Sequence, residues 1–391
     1  MRFGCRRRHN TALRKPNCLT FRIDASPLVS MPYAVNALQI VAGILLLFGG
    51  GELFVAGSVA LSLLLGIPQI VIGLTVVSMG TSAPELFVSL LSTIQGGPGG
   101  DAIAVTNIVG SNIFNVLVVL GASAVVMPLR VKSRLVRRDV PLLLGVSMAT
   151  WGMASGGQLT WIAGLALICG TVINLIWEIR TAGEEPAEAG DDLDTDGSAP
   201  WPTAAAKLAA GLGLLVLGSQ VLVKGAIGAA QSLGVSESVI GLTIVAAGTS
   251  MPELVTSLVA AYRGKADLAI GNVVGSNLLN QLVILGLCGL VSGQGGLVVE
   301  PMVIYRDFPI MVATTLACLP IFWSGGVITR LEGWILLGLY GLYLVEQILH
   351  TTASSALDQF RFVVLAAVVP LVLVFVVWSA LSWRQRRATA G

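Results

Sequence analysis

Residues 73–90 read GLTVVSMGTSAPELFVSL, and residues 241–258 repeat them closely as GLTIVAAGTSMPELVTSL. A second matching pair follows, because residues 107–115 read NIVGSNIFN and residues 272–280 read NVVGSNLLN. Polar blocks that agree in order and spacing are the signature of an internal duplication. The chain is therefore predicted to contain two copies of one structural unit.

Apolar segments surround these motifs and continue along the chain. Hydrophobic residues make up 55% of the sequence and charged residues only 11%, whereas globular domains carry roughly a quarter charged residues. The apolar runs are about 20 residues long, enough for a helix to cross a hydrocarbon layer of roughly 30 Å. This composition predicts an all-α polytopic membrane protein. The predicted spans cover residues 34–62, 68–95, 102–127, 139–155, 159–179, 204–233, 237–262, 268–292, 308–324, 333–350 and 361–383.

The order of the spans predicts how the two copies lie in the membrane. The first copy falls on spans two and three and the second on spans seven and eight, so five spans separate equivalent positions. An odd offset reverses direction, which gives the inverted-repeat architecture of secondary transporters, with substrate bound near the midplane. The predicted organisation is a basic tail (1–33), a first five-helix repeat (34–180), an acidic linker (181–203), an inverted second repeat (204–350) and an extra C-terminal helix with a basic tail (351–391).

Basic residues predict the orientation, because cytoplasmic loops are enriched in Lys and Arg. The loops after even-numbered spans hold only Arg306 and Arg361. The loops after odd-numbered spans and the C-terminus hold Arg130, Lys132, Arg134, Arg137, Arg138, Arg180, Arg263, Lys265, Arg330, Arg384, Arg386 and Arg387. We expect a cell (inner) membrane protein with its N-terminus outside and its C-terminus cytoplasmic. The basic tail 1–33 disagrees with this rule, and we interpret it as disordered or as preceding a true start at Met31.

Each copy of the GTS motif places two hydroxyls and a carboxylate on one helical face, because residues three and four apart are neighbours on a helix. These residues are Thr81, Ser82 and Glu85 in the first copy and Thr249, Ser250 and Glu253 in the second. Pro84 and Pro252 lack an N–H and interrupt these helices, which frees the carbonyl of Gly80 or Gly248. Hydroxyl, carboxylate and carbonyl oxygens are the ligands of Ca²⁺, which takes about six to eight of them, and Na⁺ accepts the same kind.

Neutral oxygens on spans three and eight extend this predicted ligand set. They occur at a spacing of four residues as Asn107, Ser111 and Asn115 and again as Asn272, Ser276 and Asn280. Glu85 and Glu253 are the only acidic groups predicted at the membrane centre, and no central Lys or Arg is available to pair with them. A carboxylate there is costly unless it is paired, so the two are predicted to attract mobile cations.

Four further polar residues in the spans have other predicted roles. Asn112 and Asn277 are interpreted as bridges between helices rather than as ligands. Glu52 and Gln220 occupy equivalent places in spans one and six but differ in charge. Glu52 is left open between a place on an ion access route and a place facing a polar interior.

The motifs 80–85 (GTSAPE) with 110–115 (GSNIFN), repeated as 248–253 (GTSMPE) with 275–280 (GSNLLN), closely resemble the α-repeats of the sodium/calcium exchanger family. That family belongs to the cation/calcium antiporter superfamily, and the resemblance spans residues 34–350. It implies a ten-helix core in which helices one and six slide as a gate, with glycines at 49–51, 211, 213 and 218 suited to close contact. It also implies a cation site lined by Thr81, Ser82, Glu85, Ser111, Asn115, Thr249, Ser250, Glu253, Ser276 and Asn280.

The resemblance implies antiport of Ca²⁺ for Na⁺ by alternating access. Exchange against H⁺ stays open, because a buried glutamate can release a cation by taking a proton, and so do dependence on K⁺ and transport of another divalent cation. Some relatives carry Asp where this chain has Asn280, which leaves the coupling stoichiometry open. A passive channel would need a continuous pore, usually with oligomeric rings. The sequence contains no His dyad, nucleophile elbow or phosphate loop, so no enzyme activity, cofactor or nucleic-acid partner is expected. The expected partners are Ca²⁺, Na⁺ and membrane lipid, and the chain is expected to act as a monomer.

Overall fold

The structure is a computed structural model that describes residues 26–95, 98–131, 135–181, 200–235, 240, 243–244, 246–323, 326–352, 354–371 and 374. Residues 1–25 of the predicted basic tail and residues 182–199 of the predicted acidic linker lie outside this description. So do residues 375–391, which include the end of the predicted eleventh span and the basic tail that follows it.

Helices occupy the predicted spans wherever the structure describes them. They are α1 (Ser26–Leu65), α2a (Gln69–Thr81), α2b (Ala83–Gln95), α3 (Pro98–Phe114, Asn115–Leu120 and Gly121–Val126), α4 (Leu135–Asp139 and Val140–Ala154), α5 (Trp161–Thr181), α6 (Trp201–Ser232), α7a (Ala246–Thr249), α7b (Met251–Tyr262), α8 (Ala266–Leu279, Asn280–Leu285 and Gly286–Val291), α9 (Val303–Asp307 and Phe308–Trp323), α10 (Arg330–Thr351) and α11 (Leu357–Val363 and Val364–Val368). Helices α1 and α9 begin earlier than predicted, at Ser26 and Val303 instead of residues 34 and 308.

Length and composition make several of these helices able to cross a membrane. Among the described residues, five continuous helices qualify, and the bent pair α2a–α2b adds a sixth. The five are Tyr33–Leu65, Gly100–Val126, Trp161–Glu178, Trp201–Ser232 and Ala266–Val291. The remaining predicted spans form helices that fall short of the same test, so the prediction of about eleven spans is supported in part.

Two short antiparallel strand pairs show which connections meet. Strand β1 (Leu129–Arg130), after α3, pairs with β4 (Val327–Ile328), before α10. Strand β2 (Gln158–Leu159), between α4 and α5, pairs with β3 (Leu297–Val298), after α8. Helices α3 and α8, which carry the matching motifs, therefore end at different strand pairs on either side of the bundle.

The side of the bundle that contains β1 and β4 is called the basic face, and the side that contains β2 and β3 the opposite face. Arg330 at the start of α10 donates to the carbonyl of Val126 at the end of α3 over 3.4 Å. A cavity of about 540 Å³ on this face lies between the ends of α1, α3 and α7b, and Ser62, Arg130 and Lys265 contribute to its lining. Helices α1, α3 and α7b thus end together at the basic face.

Helices α3 and α8 form the centre of the bundle. Their side chains are buried on nearly all sides, as shown by Ile108, Ile113 and Leu285, which have no exposed surface. Helix α5 instead exposes large apolar side chains such as Ile173 and Trp177. A helix that is apolar all round is typical of the core of a membrane bundle, and an exposed apolar helix is typical of a lipid-facing position.

Helices α1 and α6 pack antiparallel along a seam of glycines spaced seven residues apart. The seam consists of Gly43, Gly50 and Gly57 in α1 and Gly211, Gly218 and Gly225 in α6. A Cβ at Gly50 would lie 2.8 Å from the backbone nitrogen of Leu215, so the two backbones can approach this closely only at glycine. The prediction of glycines from the sequence is thus partly wrong, because a Cβ added at Gly49 or Gly213 would meet no described atom within 4 Å.

Replacing Gly50 or Gly218 with valine is expected to separate α1 from α6. The added side chain would meet backbone atoms about 2.8 Å away, and overpacking of this kind costs about 1–3 kcal/mol. Thermal unfolding of the detergent-solubilised protein measures the effect, with Gly49→Val as the control because Gly49 has open space beside it. Equal unfolding temperatures for Gly50→Val and Gly49→Val would contradict the seam.

Candidate cation site

The two repeated motifs each break a helix at the centre of the bundle. Ser82 (φ −79°, ψ 7°) separates α2a from α2b, which meet at a bend of 48°. Ser250 (φ −90°, ψ 11°) occupies the same place before α7b, where Pro252 stands in the first turn. The predicted interruption of the helices is confirmed. Each break places a glutamate in the first turn of a new helix, where free backbone N–H groups favour negative charge.

The two glutamates are fully buried and held by serines of the other half. Ser82 donates from Oγ to Oε1 of Glu253 over 2.9 Å, and Ser250 donates from Oγ to Oε1 of Glu85 over 2.8 Å. Oγ of Ser111 in α3 lies 3.3 Å from the same oxygen of Glu85 and 2.9 Å from Oγ of Ser250. The structure therefore brings α2, α3 and α7 together around one pair of carboxylates.

Four asparagines join α3 to α8 beside these carboxylates. Asn112 and Asn277 donate to each other's backbone carbonyl over 3.3 Å and 3.2 Å. Asn115 donates to Oδ1 of Asn277 over 3.0 Å, and Asn280 donates to Oδ1 of Asn112 over 2.9 Å. The interpretation of Asn112 and Asn277 as bridges is confirmed. We call these four residues the amide quartet.

Several buried oxygens of the motif residues accept no hydrogen bond from any described residue. They are Oε2 of Glu85, Oε2 of Glu253, Oδ1 of Asn115, Oδ1 of Asn280 and Oγ of Ser276. A buried acceptor without a partner costs on the order of 1–3 kcal/mol, and more if it is charged. Oxygens of this kind are the ligands that Ca²⁺ takes, and two carboxylates match the charge of one divalent ion.

The remaining predicted ligands lie at the edge of this cluster. Thr81 donates from Oγ1 to Oδ1 of Asn272 over 3.1 Å. Asn272 donates to Oγ of Ser257 over 2.9 Å, and Asn107 donates to Oγ of Ser89 over 3.0 Å. Asn107 and Asn272 thus fix α3 to α2b and α8 to α7b through contacts that sequence spacing alone did not predict.

Two further residues complete the outline of the cluster. Thr249 lies half-buried in α7a, next to the break. The carbonyl of Gly248, predicted to be freed by Pro252, accepts a hydrogen bond from Oγ of Ser219 in α6. That carbonyl is therefore satisfied within the protein rather than available as a ligand.

A π-helical turn begins at the same motif asparagine in both central helices. Helix α3 becomes π-helical over Asn115–Leu120, and α8 does so over Asn280–Leu285. The wider turn shifts the side chains that follow away from regular α-helical positions, and such turns are frequent at functional sites. No residue in these segments is a known breaker of α-helices, so the sequence offers no local signal for the change.

Two buried ion networks pin the outer helix pairs, one in each half. Arg306 donates to both carboxylate oxygens of Asp307 over 2.8 Å and 3.0 Å, and to Oε2 of Glu346 over 3.2 Å. In the first half, Nε of Arg138 lies 3.7 Å from Oδ1 of Asp139, and Nη2 of Arg138 lies 3.3 Å from Oε1 of Glu178. Sequence reasoning read both arginines as loop charges and missed their pairing within helices α4–α5 and α9–α10.

Helix α11 is attached to the second of these networks. Arg361 donates from Nε to Oε1 of Glu346 over 3.0 Å and also donates to it from Nη2. Glu346 in α10 therefore bridges Arg361 and Arg306. Helix α11 thus docks against α10, the last helix of the predicted ten-helix core.

Glu52, whose role the sequence left open, pairs with a residue at the end of α7b. Arg263 donates from Nε over 3.0 Å and from Nη2 over 2.6 Å to Oε2 of Glu52. Both side chains are partly exposed, so this pair lies apart from the buried cluster.

Comparison with known proteins gives consistent matches along most of the chain. A family model described as sodium/calcium exchanger protein matches residues 35–179 and again residues 203–349. The putative antiporter CaxA of Alkalimonas amylolytica is 38% identical over 312 residues, which cover 78% of this chain and 95% of that protein. The sodium/calcium exchanger MaX1 of Methanosarcina acetivorans is 32% identical over 360 residues, covering 80% of this chain and 98% of that protein.

Among solved structures, the sodium-calcium exchanger NCX_Mj soaked with Na⁺ and Sr²⁺ has a similar fold. The TM-score is 0.68 at 29% sequence identity, and the match covers 80% of this chain and 98% of that chain. The helices of the present structure therefore follow the membrane fold of that exchanger over most of their length.

Proposed function

Because this chain belongs to the sodium/calcium exchanger family, we propose that it exchanges Ca²⁺ for Na⁺ by alternating access at one site near the membrane midplane. Membership of this family confirms the resemblance of the motifs and identifies the chain as a multi-pass membrane antiporter. The observation that carries the choice of cargo is the set of five buried oxygens without donors on Glu85, Glu253 and the motif residues of α3 and α8. Oxygen-only ligand sets of this kind suit Ca²⁺ and Na⁺.

The proposed site assigns different roles to the clustered residues. Glu85, Glu253, Asn115, Asn280 and Ser276 supply the unpartnered oxygens and are the proposed primary ligands. The other proposed members hold the carboxylates in place or flank them, and each has a hydroxyl to offer an ion. These members are Thr81, Ser82, Ser111, Thr249 and Ser250.

The proposed architecture is two inverted five-helix repeats with α11 appended. It is supported by contacts that recur with the halves exchanged, as in the pair Ser82 to Glu253 and Ser250 to Glu85. The strand pairs β1–β4 and β2–β3 exchange in the same way. Such symmetry lets one protein adopt two conformations that are related by a pseudo-twofold axis through a fixed central site.

Coupling between the two fluxes would follow from charge. Moving two bare carboxylates through an occluded, low-dielectric state is costly, so only a site neutralised by cations can change its access. The described residues place no Lys or Arg beside Glu85 and Glu253. Ca²⁺ and Na⁺ therefore compete for the same oxygens, and the return step requires one or the other.

A second candidate is exchange of Ca²⁺ for H⁺. It is favoured by the same absence of a basic partner, since a buried carboxylate can be neutralised by a proton instead of a metal ion. Calcium uptake into proteoliposomes separates the two. Uptake that requires internal Na⁺ supports the first proposal, uptake driven only by a pH gradient supports the second, and uptake with no counter-ion would indicate a channel.

The variants for that uptake assay come from the chain itself. Glu253→Gln is expected to reduce uptake to background, because it removes one of the two carboxylates. Glu300→Gln is the matched control, since Glu300 is an exposed residue before α9. Loss of uptake in both variants would point to damage unrelated to the site.

The orientation and the monomeric state are also proposed. Arg130, Lys265 and Arg330 lie at the basic face, which is the side proposed to be cytoplasmic in the cell membrane. This places the N-terminus outside. Labelling of single cysteines added at residue 265 or at residue 158 from each side of the membrane tests the assignment.

Ser276→Ala is expected to weaken Ca²⁺ binding several-fold without destabilising the protein. Oγ of Ser276 has no partner within the described residues, so its removal loses a ligand but breaks no hydrogen bond. Ser111→Ala should instead lower stability, because Ser111 contacts Glu85, Ser250 and Asn280. Calcium titration and thermal unfolding without Ca²⁺ distinguish the two variants. A drop in unfolding temperature for Ser276→Ala would contradict this role.

A further inference from the structure

The two halves differ in how α1 and α6 cover the broken helices. Val255 and Val259 in α7b are 6% and 3% exposed, and they pack against Gly51 of α1. The residues at the matching positions of α2b are Phe87 and Leu91, which are 64% and 52% exposed. Helix α1 therefore covers α7b, whereas the matching face of α2b is uncovered.

Helix α6 contacts α7a at the position that matches the contact of α1 with α7b. Ser219, which matches Gly51 in the second repeat, donates to the carbonyl of Gly248 in α7a. Helix α7b runs from the central cluster to the basic face, so α1 closes the bundle between the cluster and that face. The structure is thus closed towards the basic face and more open along α2b, which runs towards the opposite face.

An ion pair fastens this closed side. Glu52 follows Gly51 on α1, and Arg263 caps the end of α7b, so their hydrogen bonds of 3.0 Å and 2.6 Å join the covering helix to the covered one. The matching residues in the other half are Gln220 and Gln95, both neutral. An equivalent closure of α6 over α2b would therefore lack a charge pair.

We propose that Glu52 and Arg263 form a latch that positions α1 over α7b and favours the conformation closed towards the basic face. Without a counterpart at Gln220 and Gln95, the two conformations have unequal populations at rest. This inference rests on the proposed alternating access, because a latch matters only if α1 can leave α7b. The pair acts on access and makes no contact with the cation ligands.

The test compares the accessibility of matching positions in the two halves. Leu91→Cys and Val259→Cys are made separately in a chain without its native cysteines and labelled in proteoliposomes with a thiol reagent that cannot cross the membrane. Labelling is expected to be faster at position 91 than at position 259. Glu52→Gln and Arg263→Gln should each shift the ratio of the two rates towards position 259 by up to roughly fivefold, the factor for an exposed ion pair of about 1 kcal/mol.

Two further variants separate a latch from a general structural role. The double exchange Glu52→Arg with Arg263→Glu should restore the original ratio, because it restores the pair with its charges reversed. Gln220→Glu with Gln95→Arg should shift the ratio in favour of closure over α2b. An unchanged ratio in Glu52→Gln, or no recovery in the double exchange, overturns the proposal.

In this design the latch and the proposed exchange can be refuted independently of each other. The labelling ratio needs no transported ion, whereas calcium-45 uptake by the unmodified protein tests the exchange itself. A shifted ratio without calcium uptake would leave the latch standing and refute the proposed cargo. Normal uptake with an unchanged ratio would do the reverse.

Discussion

Glu85→Gln and Glu253→Gln are each expected to lower Ca²⁺ affinity by on the order of a hundredfold or more and to abolish exchange. Glutamine keeps the size of the side chain, so the change removes one of two buried charges with little effect on packing. Each carboxylate also has one oxygen without a donor in the structure. Hydrogen bonds and ion contacts of buried charged groups are worth about 1.5–3 kcal/mol or more, which corresponds to this loss.

Calcium binding by titration and calcium-45 uptake measure the effect of the two glutamine variants together. The two should behave alike, because the contacts of Glu85 and Glu253 with Ser250 and Ser82 mirror each other. Near-normal binding in either variant would remove that residue from the proposed site. Loss of binding with an unchanged unfolding temperature is the result that assigns the charge to the ion rather than to folding.

Arg306→Ala is expected to destabilise the protein by about 3–5 kcal/mol, the usual cost of breaking a buried ion pair by removing one partner. Asp307 is only 3% exposed and would lose the guanidinium that it accepts from. Thermal unfolding in detergent measures the change. Helices α9 and α10 are expected to be the ones that loosen, because Arg306 joins them through Glu346.

Arg361→Ala provides the matched control, since Arg361 binds the same Glu346 but its side chain is 43% exposed. Exposed ion pairs contribute about 0–1 kcal/mol, so this variant should remain close to the unmodified protein in stability. An equal loss of stability in Arg306→Ala and Arg361→Ala would show that the burial of Arg306 does not govern its contribution.

The sequence predicted the helical spans and the central motifs because both depend on local patterns. Proline and the GTS motif locate the breaks near Ser82 and Ser250, and apolar length locates the helices. Ideal helical spacing placed Asn107 in one row with Ser111 and Asn115, but Asn107 bonds Ser89 of α2b instead. Spacing shows which residues share a face but not which helix that face meets.

Contacts between distant segments account for most of what the sequence could not predict. The pairing of Arg138 with Glu178 and of Arg306 with Glu346 requires the folded order of the outer helices. The glycine seam follows a seven-residue spacing, whereas the run 49–51 predicted from the sequence includes Gly49, which lies outside the contact. The facing helix decides which glycines are needed.

The amide quartet has a consequence for how the protein is made. Its reciprocal bonds join Asn112 of the first half to Asn277 of the second, so neither half can complete them alone. After synthesis of the first half, Asn112 and Asn115 lie in an apolar environment without their partners, because α8 has not yet been synthesised. We expect these amides to bond water or other polar groups until α8 is inserted, because a buried amide without a partner is costly. A first half expressed alone is therefore an expected substrate for quality-control proteolysis.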